Sequence, residues 1–142
     1  MESSEVQKFL TENHRGVFVA RNRDGSPHIT LVTPGVDAQG RVIITSRGTT
    51  YKVKLTRRDP RVSMLIMGEQ FSGSKYIQLA GKAEVIDQPE AMDILIYWYR
   101  HVRGEHKNWD EYREKMKQEQ RVIIRLNIEK VGYAPALTRY AE

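Results

Sequence analysis

The chain has 142 residues, room for one domain with a single core and too few for two. It has no cysteine, which excludes disulfides, thiolate nucleophiles and zinc sites built on Cys. With 23 Lys and Arg against 18 Asp and Glu the net charge is +5, an excess that favours an anionic partner (a phosphorylated small molecule or a nucleic acid) and also fits a merely soluble surface.

The opening residues, MESSEVQKFL, lack the basic and apolar regions of a signal peptide, and no apolar run reaches membrane-spanning length. A cytoplasmic protein with no membrane association is expected. Residues 3–12 predict a short helix, with Val6, Phe9 and Leu10 at helical spacing. Two β-prone runs, 16–21 and 28–33, flank Asp24-Gly25 and predict a hairpin whose loop Ser26-Pro27 lengthens. A second turn over 37–40 leads into a strand over 41–46. Residues 49–58 predict a short helix capped by Thr49 or Thr50 and ended by Pro60, and 61–67 return to strand character.

A polar loop over 68–74 precedes a long strand, 75–86, with a bulge or bend expected at Gly81. Pro89 reads as the first position of a helix capped by Asp87, and 91–102 carry Leu95, Trp98, Tyr99 and Val102 on one face. Asn108 to Glu111 has capping-box spacing and opens a helix through Gln118. In the last strand, 121–128, Ile124, Leu126 and Ile128 alternate with Arg125, Asn127 and Glu129. The expected fold is a single mainly β (α+β) domain over 1–142, a barrel of six mostly antiparallel strands with helices that plug or flank it. No βαβ alternation supports a Rossmann fold. An apolar share of 39% builds one core but does not cover every sheet edge, a shortage a partner subunit would relieve.

The densest chemistry lies in Thr45-Ser46-Arg47-Gly48-Thr49-Thr50-Tyr51-Lys52. Hydroxyls and backbone N–H groups at a helix start, beside a guanidinium and an ammonium, suit a phosphate; an ordinary capped polar loop is the plainer reading. Lys52, Lys54, Arg57, Arg58 and Arg61 either continue that anion site or form a solvated helix end. His101 and His106 are five apart and no HExxH pattern exists, so no metal is expected. No paired carboxylates and no G-x-S-x-G elbow support a hydrolase. Tyr97, Trp98 and Tyr99 read as core or interface packing rather than a cofactor box.

Thr45-Ser46-Arg47-Gly48, then Lys52, Arg57-Arg58-Asp59-Pro60-Arg61-Val62-Ser63 and the later Gly81-Lys82-Ala83-Glu84 resemble the pyridoxamine 5′-phosphate oxidase-like family, over about residues 5 to 134. The stretch Gly104 to Arg113 resembles its deazaflavin (coenzyme F420)-dependent branch. The resemblance implies a flavin-mononucleotide-binding-like split barrel and a homodimer with the cofactor at its interface. Thr45, Ser46 and Arg47 would line the ring and phosphate end, and Thr50 and Lys52 would bind the phosphate. The strand from His28 to Pro34 would run under the ring, with Tyr76 of the partner subunit nearby. Arg57, Arg58 and Arg61 would meet the glutamate-bearing tail of F420. Two positions depart from the family: Tyr51 stands where an Arg or Ser is common, after a one-residue insertion, and Lys54 where an Asn is common. The carboxyl end lacks the tryptophan and arginine-histidine motif that grips pyridoxamine phosphate, so that activity is not expected.

The expected function is hydride transfer between reduced F420 and a small organic substrate, with Tyr76, His28 or solvent as proton donor. A flavin mononucleotide (FMN) oxidoreductase of the same fold and a non-catalytic F420 carrier are the alternatives. A nucleic-acid partner is not expected, because the aromatic residues gather at 94–102 rather than on a strand face beside the basic cluster.

Overall fold

Seven strands form one antiparallel sheet in the order β2-β1-β5-β6-β7-β4-β3. The computed structural model describes residues 3–70 and 75–133. Helix α1 (Ser3–Glu12) precedes β1 (Arg15–Arg21), β2 (Pro27–Val32), β3 (Gly35–Val36) and β4 (Val42–Arg47). Helix α2 (Tyr51–Arg58) leads into β5 (Arg61–Met67) and β6 (Tyr76–Ile86). Helices α3 (Ala91–Arg103) and α4 (Trp109–Gln118) come before β7 (Arg121–Tyr133).

The edge strands β2 and β3 are consecutive in the chain, joined only by Thr33 and Pro34. The three Cα–Cα steps from Val32 to Gly35 span at most about 11 Å. Two edges of a seven-stranded sheet meet over that distance only if the sheet curls on itself, which makes the half-barrel. Two contacts hold the join: the Trp98 indole Nε1 donates to the Thr33 carbonyl at 3.0 Å, and His14 Nδ1 donates to the Pro34 carbonyl at 2.9 Å.

Alternation along the strands sends one set of side chains inward. Phe18, Ile44, Met64, Ile66, Ile77, Leu79, Ile124 and Leu126 fill the barrel with Val53 and Leu55 of α2 and Val6 and Leu10 of α1. A second cluster joins Ile43 and Ile123, on the outer face of β4 and β7, to Leu95, Ile96, Trp98, Tyr112 and Met116 of α3 and α4. Among the described residues, α3 and α4 therefore cover the outer face at β3, β4 and β7.

Six strands were expected and seven are present among the described residues. The addition, β3, is two residues long, too short for any periodicity to show between Pro34 and Asp37. Strand β7 also runs past the expected end at 128. Its register against β6 slips between Ala80 and Gly81, the bulge that Gly81 predicts, and a Cβ at Gly81 would lie 2.0 Å from the Asn127 carbonyl oxygen. Pro89 does not open α3: the Gln88–Pro89 peptide is cis, Glu90 is the N-cap, and the Asp87 carboxylate bonds Arg57 instead of a helix start. Part of the expected 68–74 loop, residues 71–74, lies outside the described residues.

Candidate cofactor site

Strand β4 pairs with β3 only through Ile43 and Val42, so among the described residues no strand lies beside its second edge from Ile44 to Arg47. Strand β2 likewise has no described strand beyond β1. These two open edges flank the split of the barrel. Across it, at the start of α2, the Tyr51 ring meets the His28 ring edge-on at 5.1 Å. Thr30 on β2 and Thr45 on β4 each carry a buried hydroxyl oxygen with no hydrogen-bond partner. A buried hydroxyl without a partner costs about 1–3 kcal/mol, and a ligand's polar groups are one way to relieve that cost.

The turn after β4 folds as its residue types dictate. Thr50 is the N-cap of α2, and its hydroxyl accepts from the Val53 amide at 3.4 Å. Ser46, buried, shares a 2.9 Å hydrogen bond with the same hydroxyl. Lys52 follows in the first turn of the helix, half-buried. Burial, and next the Arg121 guanidinium, lower its pKa below that of an ordinary lysine. Among the described residues no carboxylate pairs with it.

Arg47 stands directly opposite Arg121 in the β4–β7 register. Glu119 joins them, 2.8 Å from Arg121 Nε and 3.4 Å from Arg47 Nη2. The bond from Arg121 holds the Glu119 carboxyl below the usual range, with Arg47 and Lys115 adding to the effect. Arg121 and Glu119 were not singled out in the sequence. Arg121 lies 69 positions beyond Lys52 (121 − 52), and only strand pairing brings it there.

The other expected residues lie in different places. Arg57, in the last turn of α2, forms a two-pronged pair with Asp87, with Nη1 to Oδ2 at 3.0 Å. That pairing raises the Arg57 pKa and lowers the Asp87 pKa. Arg58 donates to the Arg21 carbonyl at 2.7 Å, and Arg61 bonds Asp59 at 2.8 Å, which pulls the Asp59 carboxyl well below its ordinary range. Pro34 is buried at the β2–β3 join with its carbonyl taken by His14. Tyr76 begins β6 at the end far from the site, since Ile86, opposite Ile123, marks the near end. Ten residues of strand put about 33 Å between them. Within one chain Tyr76 does not reach Lys52.

A cleft of about 340 Å³ beside α2 is lined by Gly48, Arg57, Gln88, Lys117 and Gln120. A larger cavity, about 590 Å³, lies at the other end of the barrel between α1, the β3–β4 turn and α3, and contains none of the expected site residues. No group of three or more His, Asp or Glu able to hold a metal ion occurs among the described residues.

The description of pyridoxamine 5′-phosphate oxidase matches residues 3–134, nearly the whole chain. The chain belongs to the pyridoxamine 5′-phosphate oxidase family. A conserved hypothetical protein of Mycobacterium tuberculosis superposes with a TM-score of 0.79 at 23% identity, over 94% of this chain and 84% of that one. An F420 reductase gives 0.69 at 16% identity, over 89% and 94%. A FAD-binding protein from Mesorhizobium loti gives 0.66 at 18% identity, over 94% and 94%. At these identities the likeness is one of fold. Family membership makes the chain a relative of pyridoxamine 5′-phosphate oxidase, and it shares a fold with the F420 reductase and the FAD-binding protein. No described helix is long and apolar enough to cross a membrane.

Proposed function

We propose that the protein is an oxidoreductase that uses reduced F420 to deliver a hydride to a small organic substrate, holding the coenzyme's phosphate between Lys52, Thr50 and Arg121. One observation carries this reading: a half-buried ammonium within the field of a guanidinium, with no carboxylate of its own among the described residues, at the start of a Thr-capped helix that borders the split of the barrel. A cation so placed is stabilised when an anion arrives. The deazaflavin, when bound, supplies the hydride chemistry. Lys52 and Arg121 would neutralise the phosphate, and the hydroxyls of Thr30 and Thr45 would meet polar groups of the ring or ribityl chain. The protein's other task is to orient the ring and keep water from it.

A homodimer belongs to the same proposal. Ile29 and Leu31 on β2 are 62% and 84% exposed, and they stand opposite Val19 and Val17 of β1, which face Ser63 and Leu65 of β5. No helix covers this outer face, an apolar strip across three strands. Tyr76 shares a face with Leu65 through the β5–β6 register and lies at the strip's margin. A second copy seated on the strip would bring its own Tyr76 into the interface.

FMN is the second reading, and the engaged state of Arg57, Arg58 and Arg61 favours it. Each already bonds a protein oxygen, so an extended tail would have to displace Asp87 or Asp59 to use them. A ligand ending at its phosphate has no such need. The deciding experiment titrates purified protein with oxidised and reduced F420 and with FMN at fixed salt, following cofactor fluorescence. Selective binding of F420 that is lost in Lys52→Ala supports the first reading. Selective binding of FMN supports the second, and binding of neither overturns both.

A further inference from the structure

We infer that Glu119 is a resident counter-anion of the phosphate site, occupying the guanidinium groups of Arg47 and Arg121 and setting ligand affinity by competing with the ligand's own anionic groups. The inference rests on the reading of the site proposed above.

The register of β4 and β7 sets Arg47 and Arg121 face to face, an arrangement that repels unless something neutralises it. Glu119 does so. Its side chain is only 14% exposed, and it is placed by the residue that follows it. Gln120 adopts φ of +51°, an unusual conformation for a residue with a side chain, and its carbonyl accepts from the Gly48 amide at 2.8 Å. The turn that carries Glu119 is thereby tied to the turn that opens the phosphate site. Lys52 feels the charge of Arg121 and pairs with no carboxylate among the described residues, so there the cluster holds three cations, Arg47, Lys52 and Arg121, against one anion.

The two bonds of Glu119 are unequal. Arg121 is held at 2.8 Å and is mostly covered, whereas Arg47 is held at 3.4 Å and its side chain is 57% exposed. Arg47 can therefore leave Glu119 for a phosphate oxygen with little rearrangement. While Glu119 stays ionised it offsets part of the positive potential that would otherwise draw the ligand in. A second negative charge a few ångströms from the phosphate, at a site open enough for the dielectric to approach that of water, weakens binding on the order of tenfold.

The test uses the full chain with FMN, riboflavin and inorganic pyrophosphate as probes, and thermal melts to check folding. Glu119→Gln keeps the size of the side chain and removes its charge. It is expected to tighten FMN and pyrophosphate binding about tenfold and to steepen the loss of affinity with salt. Riboflavin, which lacks the phosphate, is expected to bind as before. Glu119→Asp keeps the charge on a shorter arm and is expected to tighten FMN by a few-fold as it withdraws from Arg47. Unchanged or weaker FMN binding in either folded variant, or an equal gain for riboflavin, overturns the inference. If Lys52→Ala leaves FMN and pyrophosphate binding intact, the anion site itself is refuted. If Lys52→Ala abolishes binding while neither Glu119 variant gains, only the role given to Glu119 falls.

Discussion

The Gly48 amide donates to the Gln120 carbonyl at 2.8 Å, so the turn that leaves β4 and the turn that enters β7 touch backbone to backbone. A Cβ on residue 48 would lie 2.6 Å from that carbonyl oxygen, too close for backbone atoms that cannot yield separately. Gly48→Ala is expected to cost about 1–3 kcal/mol in urea unfolding, because it forces the two turns apart. It should also weaken phosphate binding, since the same shift moves Arg47 and Arg121 from their places. An alanine variant as stable as the parent would show that the contact is slack.

Lys52 exchanges stability for binding. With its folded pKa lowered by burial and by Arg121, the folded chain releases that proton more readily than the unfolded chain does. Folding is therefore penalised while both states are protonated. The penalty falls as pH rises from the lowered folded pKa to the ordinary lysine value near 10.5, and is absent above it. Lys52→Met, which keeps the length of the side chain without the charge, is expected to raise the melting temperature of the ligand-free protein and to remove the alkaline rise in stability. It should abolish protection by pyrophosphate. A lower melting temperature would mean the ammonium is already well solvated.

Tyr112 tests the packing of α4. Its hydroxyl donates to the Leu95 carbonyl at 3.1 Å, and desolvation pushes its pKa up to about 12. A raised folded pKa means the stabilisation is fully present below the ordinary tyrosine pKa near 10 and is lost as pH climbs through 12. Absorbance titration should show one phenol ionising late and together with unfolding. Tyr112→Phe removes that step and the bond to the Leu95 carbonyl, which keeps its helical partner within α3, at a cost of about 0.5–1.5 kcal/mol by chemical denaturation.

The exposed strip on β2 predicts its own disruption. Replacing Ile29 and Leu31 with lysine is expected to leave the circular dichroism spectrum unchanged, because both side chains point away from the core. In a homodimer built on this face, each lost apolar side chain removes about 1.5–3 kcal/mol, so the dissociation constant should rise a hundredfold or more. Light scattering after size exclusion would read the change from dimer to monomer. An unchanged dimer would place its interface elsewhere.

The sequence by itself determined what depends on neighbours along the chain. The two-residue period, the Asp24-Gly25 hairpin, a cap at Thr49 or Thr50 (Thr50 in the structure) and the Asn108 cap (which accepts from the Glu111 amide at 3.1 Å) are all local. Residues fewer than five apart settle them, and composition alone excluded chemistry that needs cysteine. The Thr45 to Lys52 turn was legible for the same reason: its hydroxyls and charges are contiguous.

Only the tertiary structure decided the rest. The two-residue β3 exists because Thr33 and Pro34 must bridge the two edges of a curled sheet, and no period of two residues can announce it. Arg121 and Glu119 join the site through strand register, across 69 positions, and Arg57 to Arg61 are engaged by acids and carbonyls that local spacing does not reveal. Tyr76 lies far from Lys52 in one chain for an equally global reason: the direction of β6 is set by its pairing with β5 and β7, and pairing energies depend on which strands meet rather than on either strand alone.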